Sequence, residues 1–277
     1  MARPHNPLPG LGLSLGITLA WLGLLVVVPL AALVSKAAQL SGQQWLAIIT
    51  DPRVVAAVRL SLGAAAVAAL VDAALGLLLA WVLVRYRFVG RGLADAAVDL
   101  PFALPTAVAG IALTALYAPD GWLGHILQGY LGLKVAFAPP GIAIALAFVG
   151  LPFVVRTLQP VLQGLDRELE QAAVCLGATP AQVFWRVILP QLRPALVTGT
   201  TMAFARAVGE YGSVVFISGN LPGQTEIAPL LIVTKLEAYD YVGATAIACW
   251  LLVLATAVLL AVGWLQARQK TAWQAHG

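Results

Sequence analysis

The sequence predicts an all-α integral membrane protein of six transmembrane helices, with a cytoplasmic helix–turn–helix between the fourth and fifth. Three observations predict it. Hydrophobic residues make up 61% of the 277 residues and charged residues only 10%, against roughly 25% charged in soluble domains, and the mean hydropathy is +0.91. Apolar stretches long enough to cross about 30 Å of hydrocarbon alternate with short polar segments. The lysines and arginines fall unevenly on the two sides that this threading creates, the pattern expected of positive-inside topology.

Leu11 to Ser35 carries no charge and is too long for a signal-peptide apolar core, so it reads as a retained first span. Lys36 to Arg53 is a polar connection with Trp45 as an interface anchor. Val54 to Val84 is the second span, over-long and therefore tilted or protruding. After Arg85, Arg87 and Arg91 the third span begins near Leu100, where Pro101 and Pro105 predict a kink. An outside loop, Pro119 to Pro140, leads to a fourth span from Gly141 to about Val155. Ala195 to Ile217 is the fifth span and Gly243 to Ala267 the sixth.

Both termini are expected inside. That orientation puts Arg3, Arg85, Arg87, Arg91, Arg156, Arg167, Arg186, Arg193, Arg268 and Lys270 in the cytoplasm, and leaves only Lys36, Arg53, Lys134 and Lys235 outside. It also accounts for the formal charge of +4 and pI near 9.3 without nucleic acid as a partner; membrane lipid is the surrounding medium. His5, His125 and His276 lie outside the apolar stretches, which excludes a buried histidine relay. Cys175 and Cys249 suggest neither a disulfide nor a metal site. No catalytic, cofactor-binding or phosphate-loop pattern is visible, so no enzyme and no cofactor are expected.

Four ionisable residues fall inside spans: Arg59, Asp72, Arg206 and Glu210. Such groups should face protein or water. Arg59 is near a span end and can snorkel. Asp72 has no partner in its own span, which points to a partner subunit or water. Arg206 and Glu210 are four residues apart, in a stripe of Gly199, Ala203, Arg206, Glu210 and Ser213. Small and polar residues so placed admit a close helix or line a pore. Two readings stand side by side: a structural ion pair, or a cation that helps an anion pass.

Between the fourth and fifth spans lies the string EQAAVCLGATPAQVFWRVILP, Glu170 to Pro190. A first short helix, Asp166 to Leu176, has acidic residues in its first turn. Gly177 supplies a left-handed end. Thr179, Pro180 and Gln182 form a capping box for a second helix, which Pro190 is expected to stop.

This loop resembles that of the permease subunits of binding-protein-dependent ABC importers, whose pattern is E-A-A, three residues, Gly, nine residues, I-x-L-P. Ala172, Ala173, Gly177, Leu189 and Pro190 match it, with Val187 at the Ile position. Gln171 stands at the Glu position with Glu170 just before it. The resemblance leaves open which of the two makes the family's polar contact to the ATPase. Three further strings resemble the oxyanion, sulfate/thiosulfate branch of the family: Leu100–Gly110, Leu151–Leu162 and FARAVGEYGSVVFISGN, Phe204 to Asn220.

The resemblance implies a type I ABC importer permease fold in a bacterial inner membrane. It also implies a homologous second permease, two copies of a cytoplasmic ABC ATPase and a periplasmic sulfate/thiosulfate-binding protein as partners. The chain then divides into an N-terminal tail, first span and connection (1–53), a permease core (54–267) with its coupling loop at 163–194, and a cytoplasmic tail (268–277). A molybdate/tungstate permease is the alternative within the family. An ion-gradient-driven secondary transporter is the alternative outside it, and no convincing internal repeat supports that reading.

Overall fold

A computed structural model describes residues 11–274; the calls on Arg3, His5 and His276 lie outside the described residues. Every regular element in it is helical. In chain order they are α1 (Leu11–Leu22), α2 (Val28–Ala37), α3 (Gly42–Ile49), α4 (Pro52–Arg85), α5 (Arg91–Val98), α6 (Leu100–Ala103), α7 (Thr106–Tyr117) and α8 (Trp122–Leu131). There follow α9 (Pro139–Gln163), α10 (Arg167–Cys175), α11 (Pro180–Val183), α12 (Leu189–Val208), α13 (Val214–Ile217), α14 (Ala228–Glu237) and α15 (Tyr241–Gln274). A π turn at Gly23–Val27 joins α1 to α2, and another at Phe184–Ile188 joins α11 to α12.

Four helices among the described residues are long and apolar enough to cross a membrane: Leu11–Ala37, Pro52–Arg85, Pro139–Gln163 and Tyr241–Trp264. They include the first, second, fourth and sixth expected spans. The third and fifth differ from expectation because both are broken. At Leu104 and Pro105 the backbone turns extended, so the prolines divide α6 from α7 instead of kinking one helix. The fifth opens at Gly209–Ser213, between α12 and α13. α9 passes unbroken through Pro152 and runs eight residues beyond the expected end at Val155, through Pro160. The tail expected from 268 continues the helix to Gln274.

Local chemistry accounts for most boundaries. Asp51 caps α4 by accepting from the amides of Arg53 and Val54, with Pro52 at the first helical position. Ser41 and Gln44 make a capping box for α3. Trp45 donates its indole N–H to the carbonyl of Ala37 at 3.0 Å, tying α3 back to the first span.

The centre of the fold is the three-helix contact of α4, α9 and α12. Backbones approach there because small residues face one another: an added Cβ at Gly199 would lie 2.9 Å from Val154 Cα, and one at Gly150 would collide with Asp72 Oδ2. Apolar side chains fill the two ends. Val54, Ile142, Ile227, Leu231 and Ile247 pack at the end where α4 begins. Leu83, Val154, Leu158, Ile188 and Leu192 pack where it finishes.

Polar clamps close both ends. Arg53 reaches Glu226 with two bonds of 2.7 Å, and Ser61 Oγ accepts from the amide of Ala228. At the other end, Arg156 of α9 spends its guanidinium donors on Asp95, Asp99 and Gln159.

Candidate functional site

The helix–turn–helix forms as its residues dictate. Asp166 caps α10 through the Glu168 amide. Gly177 takes φ +84°, while its amide bonds to Val174 O and that of Ala178 to Ala173 O. That is a Schellman ending, and it needs a residue free to go left-handed. Thr179 and Gln182 then make the expected capping box.

One expectation is corrected: Pro190 does not stop the second helix. The π turn carries the chain from α11 into α12, with the Leu189 amide bonded to Phe184 O, and Pro190 lies in the first turn of α12. The proline is accommodated because the π turn shifts the bonding before it from the fourth to the fifth preceding residue. The second arm of the element is therefore rigidly continuous with α12.

The element's residues divide by face. Glu170 is half-buried and ion-paired with Arg85 at the end of α4. Ala173 packs against the inner apolar cluster. Gln171 and Ala172 are exposed, as are Val174, Trp185 and above all Leu176, at 90%. Leu189 and Pro190 are half-buried. A free face bearing an amide and large apolar side chains, braced from behind, is suited to receive another protein.

The second group lies at the break after α12. Arg206 Nη1 meets Glu210 Oε2 at 2.5 Å, and Glu210 Oε1 accepts from both the amide and the hydroxyl of Ser213 at 3.0 Å. The sequence placed Arg206 and Glu210 on one helix; the helix ends at Val208, and Glu210 stands in the opening beyond it. Its carboxylate takes over the Ser213 amide, which a continuous helix would satisfy internally, and the Ser213 hydroxyl besides. The Glu210 side chain is only 2% exposed and that of Arg206 36%. The opening sits against the start of α7: side chains added at Gly212 and Gly110 would collide with Thr106 and with the Ser213 backbone respectively. The two interrupted segments thus meet at their breaks.

The rest of the stripe does something else. Gly199 and Ala203 face α9, so that half serves close packing. Asp72 is enclosed within the chain itself. It is 1% exposed beside Gly150 and Ala203, and among the described residues neither oxygen has a hydrogen-bond partner.

Sequence reasoning missed Arg85 and Trp81 as supports of the loop. The four-residue spacing of the aromatic and the cation was readable, but the partners across 85 residues were not. Arg156 with Asp95 and Asp99 was missed for the same reason.

Known proteins resemble this chain along most of its length. Residues 73–271 match the model of the family described as "Binding-protein-dependent transport system inner membrane component". The chain is 51% identical over 254 residues to a probable sulfate transport system permease protein cysT of Nephroselmis olivacea, covering 92% of this chain and 89% of that one. It is 48% identical over 261 residues to the sulfate transport system permease protein CysT of Escherichia coli, covering 94% of each. The corresponding Salmonella typhimurium protein is 47% identical over the same length and shares. Among solved structures, a bacterial ABC transporter involved in import of the acidic polysaccharide alginate superposes with a TM-score of 0.76 at 16% identity, covering 93% of this chain and 95% of that one. The same kind of transporter bound to an alginate-loaded periplasmic protein gives 0.77 at 18%, covering 93% and 94%.

Proposed function

The chain belongs to the family of binding-protein-dependent transport system inner membrane components, and from that premise we propose that it is a permease subunit of an ATP-driven importer of sulfate and thiosulfate. The observation that carries this reading is identity of about half to sulfate permeases along nearly the whole chain. It is a multi-pass membrane protein and a transport component, with bond chemistry left to a separate ATPase. The molybdate/tungstate alternative is not favoured by relatives that are sulfate permeases, nor the ion-gradient transporter by the family.

Six crossings make up the fold, the two broken segments each serving as one. Both termini face the cytoplasm, so the Glu170–Pro190 element meets the ATPase there. A homologous second permease supplies the other half of the pore, two ATPase copies lie beneath, and a periplasmic binding protein delivers the oxyanion from above. Closure of the ATPases displaces the element, and its continuity with α12 passes the motion to the break at Gly209–Ser213. Such switching is a rigid-body change between two packed states. Glu210 braces that break, and by neutralising much of the field of Arg206 it makes the pair a structural support first.

Radiolabelled sulfate uptake in cells lacking this chain, with and without the restored gene, tests the reading. Uptake restored, and competed by thiosulfate more effectively than by molybdate, is expected. Uptake independent of the chain, or a complex purified without an ATPase, overturns it.

A further inference from the structure

One turn of α4 holds both arms of the 167–190 element. Arg85 closes α4, and its guanidinium lies 5.1 Å from the centroid of the Trp81 ring. Trp81 meets Phe184 of the π turn edge-on, with centroids 5.5 Å apart. Arg85 Nη2 donates to Glu170 Oε1 of α10. The Arg85 side chain is only 12% exposed, and its Nε is buried with no hydrogen-bond partner among the described residues. A cation so far out of water is held by its carboxylate and its aromatic face together, and to part it from either leaves charge unpaired.

We propose that Arg85 is a positioning residue for coupling: with Trp81 it fastens the helix–turn–helix to α4, so that displacement of the loop is carried into α4 as well as into α12. The inference rests on the ATPase-docking role proposed above. It also divides the two candidate polar residues. Glu170 is engaged inside the chain by Arg85, while Gln171, about 100° further round α10 and exposed, is left to face the ATPase. α4 is the helix whose Asp72 and Gly76 meet Gly150 and Val154 of α9. Motion delivered at Arg85 therefore arrives at the central helix contact.

The test uses the assembled complex, with its ATPase and binding protein, in proteoliposomes. Sulfate imported is measured against ATP hydrolysed. Arg85→Ala is expected to keep hydrolysis and lower the transport-to-hydrolysis ratio roughly tenfold, equivalent to about 1.4 kcal/mol of lost coupling. Arg85→Lys, which keeps the charge without the planar fork, is expected to recover part of it. Glu170→Gln gives a second, near-isosteric probe should Arg85→Ala lower complex yield. Combined with Arg85→Ala it is expected to do no more harm than Arg85→Ala alone, since the ion pair is already broken there. A parental ratio in Arg85→Ala, or additive losses in the double variant, overturns the role of Arg85. Docking is read separately, by cross-linking the exposed native Cys175 to the ATPase. No cross-link overturns the docking reading, whereas a cross-link with an unchanged ratio overturns only the inference about Arg85.

Discussion

Glu210 and Arg206 form one ion pair, yet their removal should have unequal consequences. Glu210→Leu takes the acceptor from the amide and hydroxyl of Ser213, a fully buried residue. An orphaned buried donor costs about 1–3 kcal/mol, and the lost hydroxyl bond adds about 1 kcal/mol more, so the loss is about 2–4 kcal/mol. Arg206→Met leaves the carboxylate still holding both Ser213 bonds. The carboxylate left behind is only 2% exposed, but its two bonds from Ser213 still compensate it, so the loss falls below the ~3–5 kcal/mol typical of a broken buried pair, to about 1–2 kcal/mol. Glu210→Gln keeps an oxygen for Ser213 and should resemble Arg206→Met. The double variant Arg206→Met with Glu210→Leu should stay as unstable as Glu210→Leu, because Ser213 is still orphaned. The assay is the thermal midpoint and yield of the purified complex, with sulfate uptake measured in parallel. A double variant restored to parental stability, or Arg206→Met as damaging as Glu210→Leu, would refute the bracing role. Uptake lost in Arg206→Met while stability stays near parental would assign Arg206 to the anion's path.

Reporters fused after Arg167 or Arg268 should report a cytoplasmic location and one fused near Lys134 an external one; an external signal at Arg167 removes the ATPase contact. Gly177→Val forces a branched residue into a left-handed turn at φ +84°, a strain of roughly 1–3 kcal/mol. Transport and ATPase association should fall while membrane insertion persists, and normal uptake would count against the loop's role. Hydrogen bonds from Gln159 and Arg156 hold the carboxyl of Asp95 below its usual range. A depressed carboxylate contributes stability above its unfolded value and loses it as pH falls through the folded one. The deficit of Asp95→Asn relative to the parent should therefore be constant across neutral pH and vanish only in acid below the ordinary carboxylate range. Melting of the two proteins as a function of pH checks this, and a deficit that closes near neutrality contradicts it.

Hydropathy located the apolar spans, and the caps at Thr179 and Gln182, the left-handed Gly177 and the acidic first turn of α10 were legible because each signal acts within a few residues. The same locality explains what was misread. Apolar content says where a chain can cross a membrane, but not whether the helix stays closed. The opening at Gly209–Ser213 persists because Glu210 and the start of α7 stabilise it, and Pro190 is absorbed because the π turn reorganises the bonds before it. Arg156 with Asp99, Arg85 with Glu170, and Arg53 with Glu226 join residues 57, 85 and 173 positions apart. Asp72 lies at the α4–α9–α12 crossing, where glycine lets the backbones close around it, a placement that its own span could not announce. The sequence by itself determined the four long apolar helices and the local turns of the 166–190 loop. The tertiary structure decided which charges meet, which helices break and which face of the loop stays free, because those outcomes depend on groups that only folding brings within a few ångströms of one another.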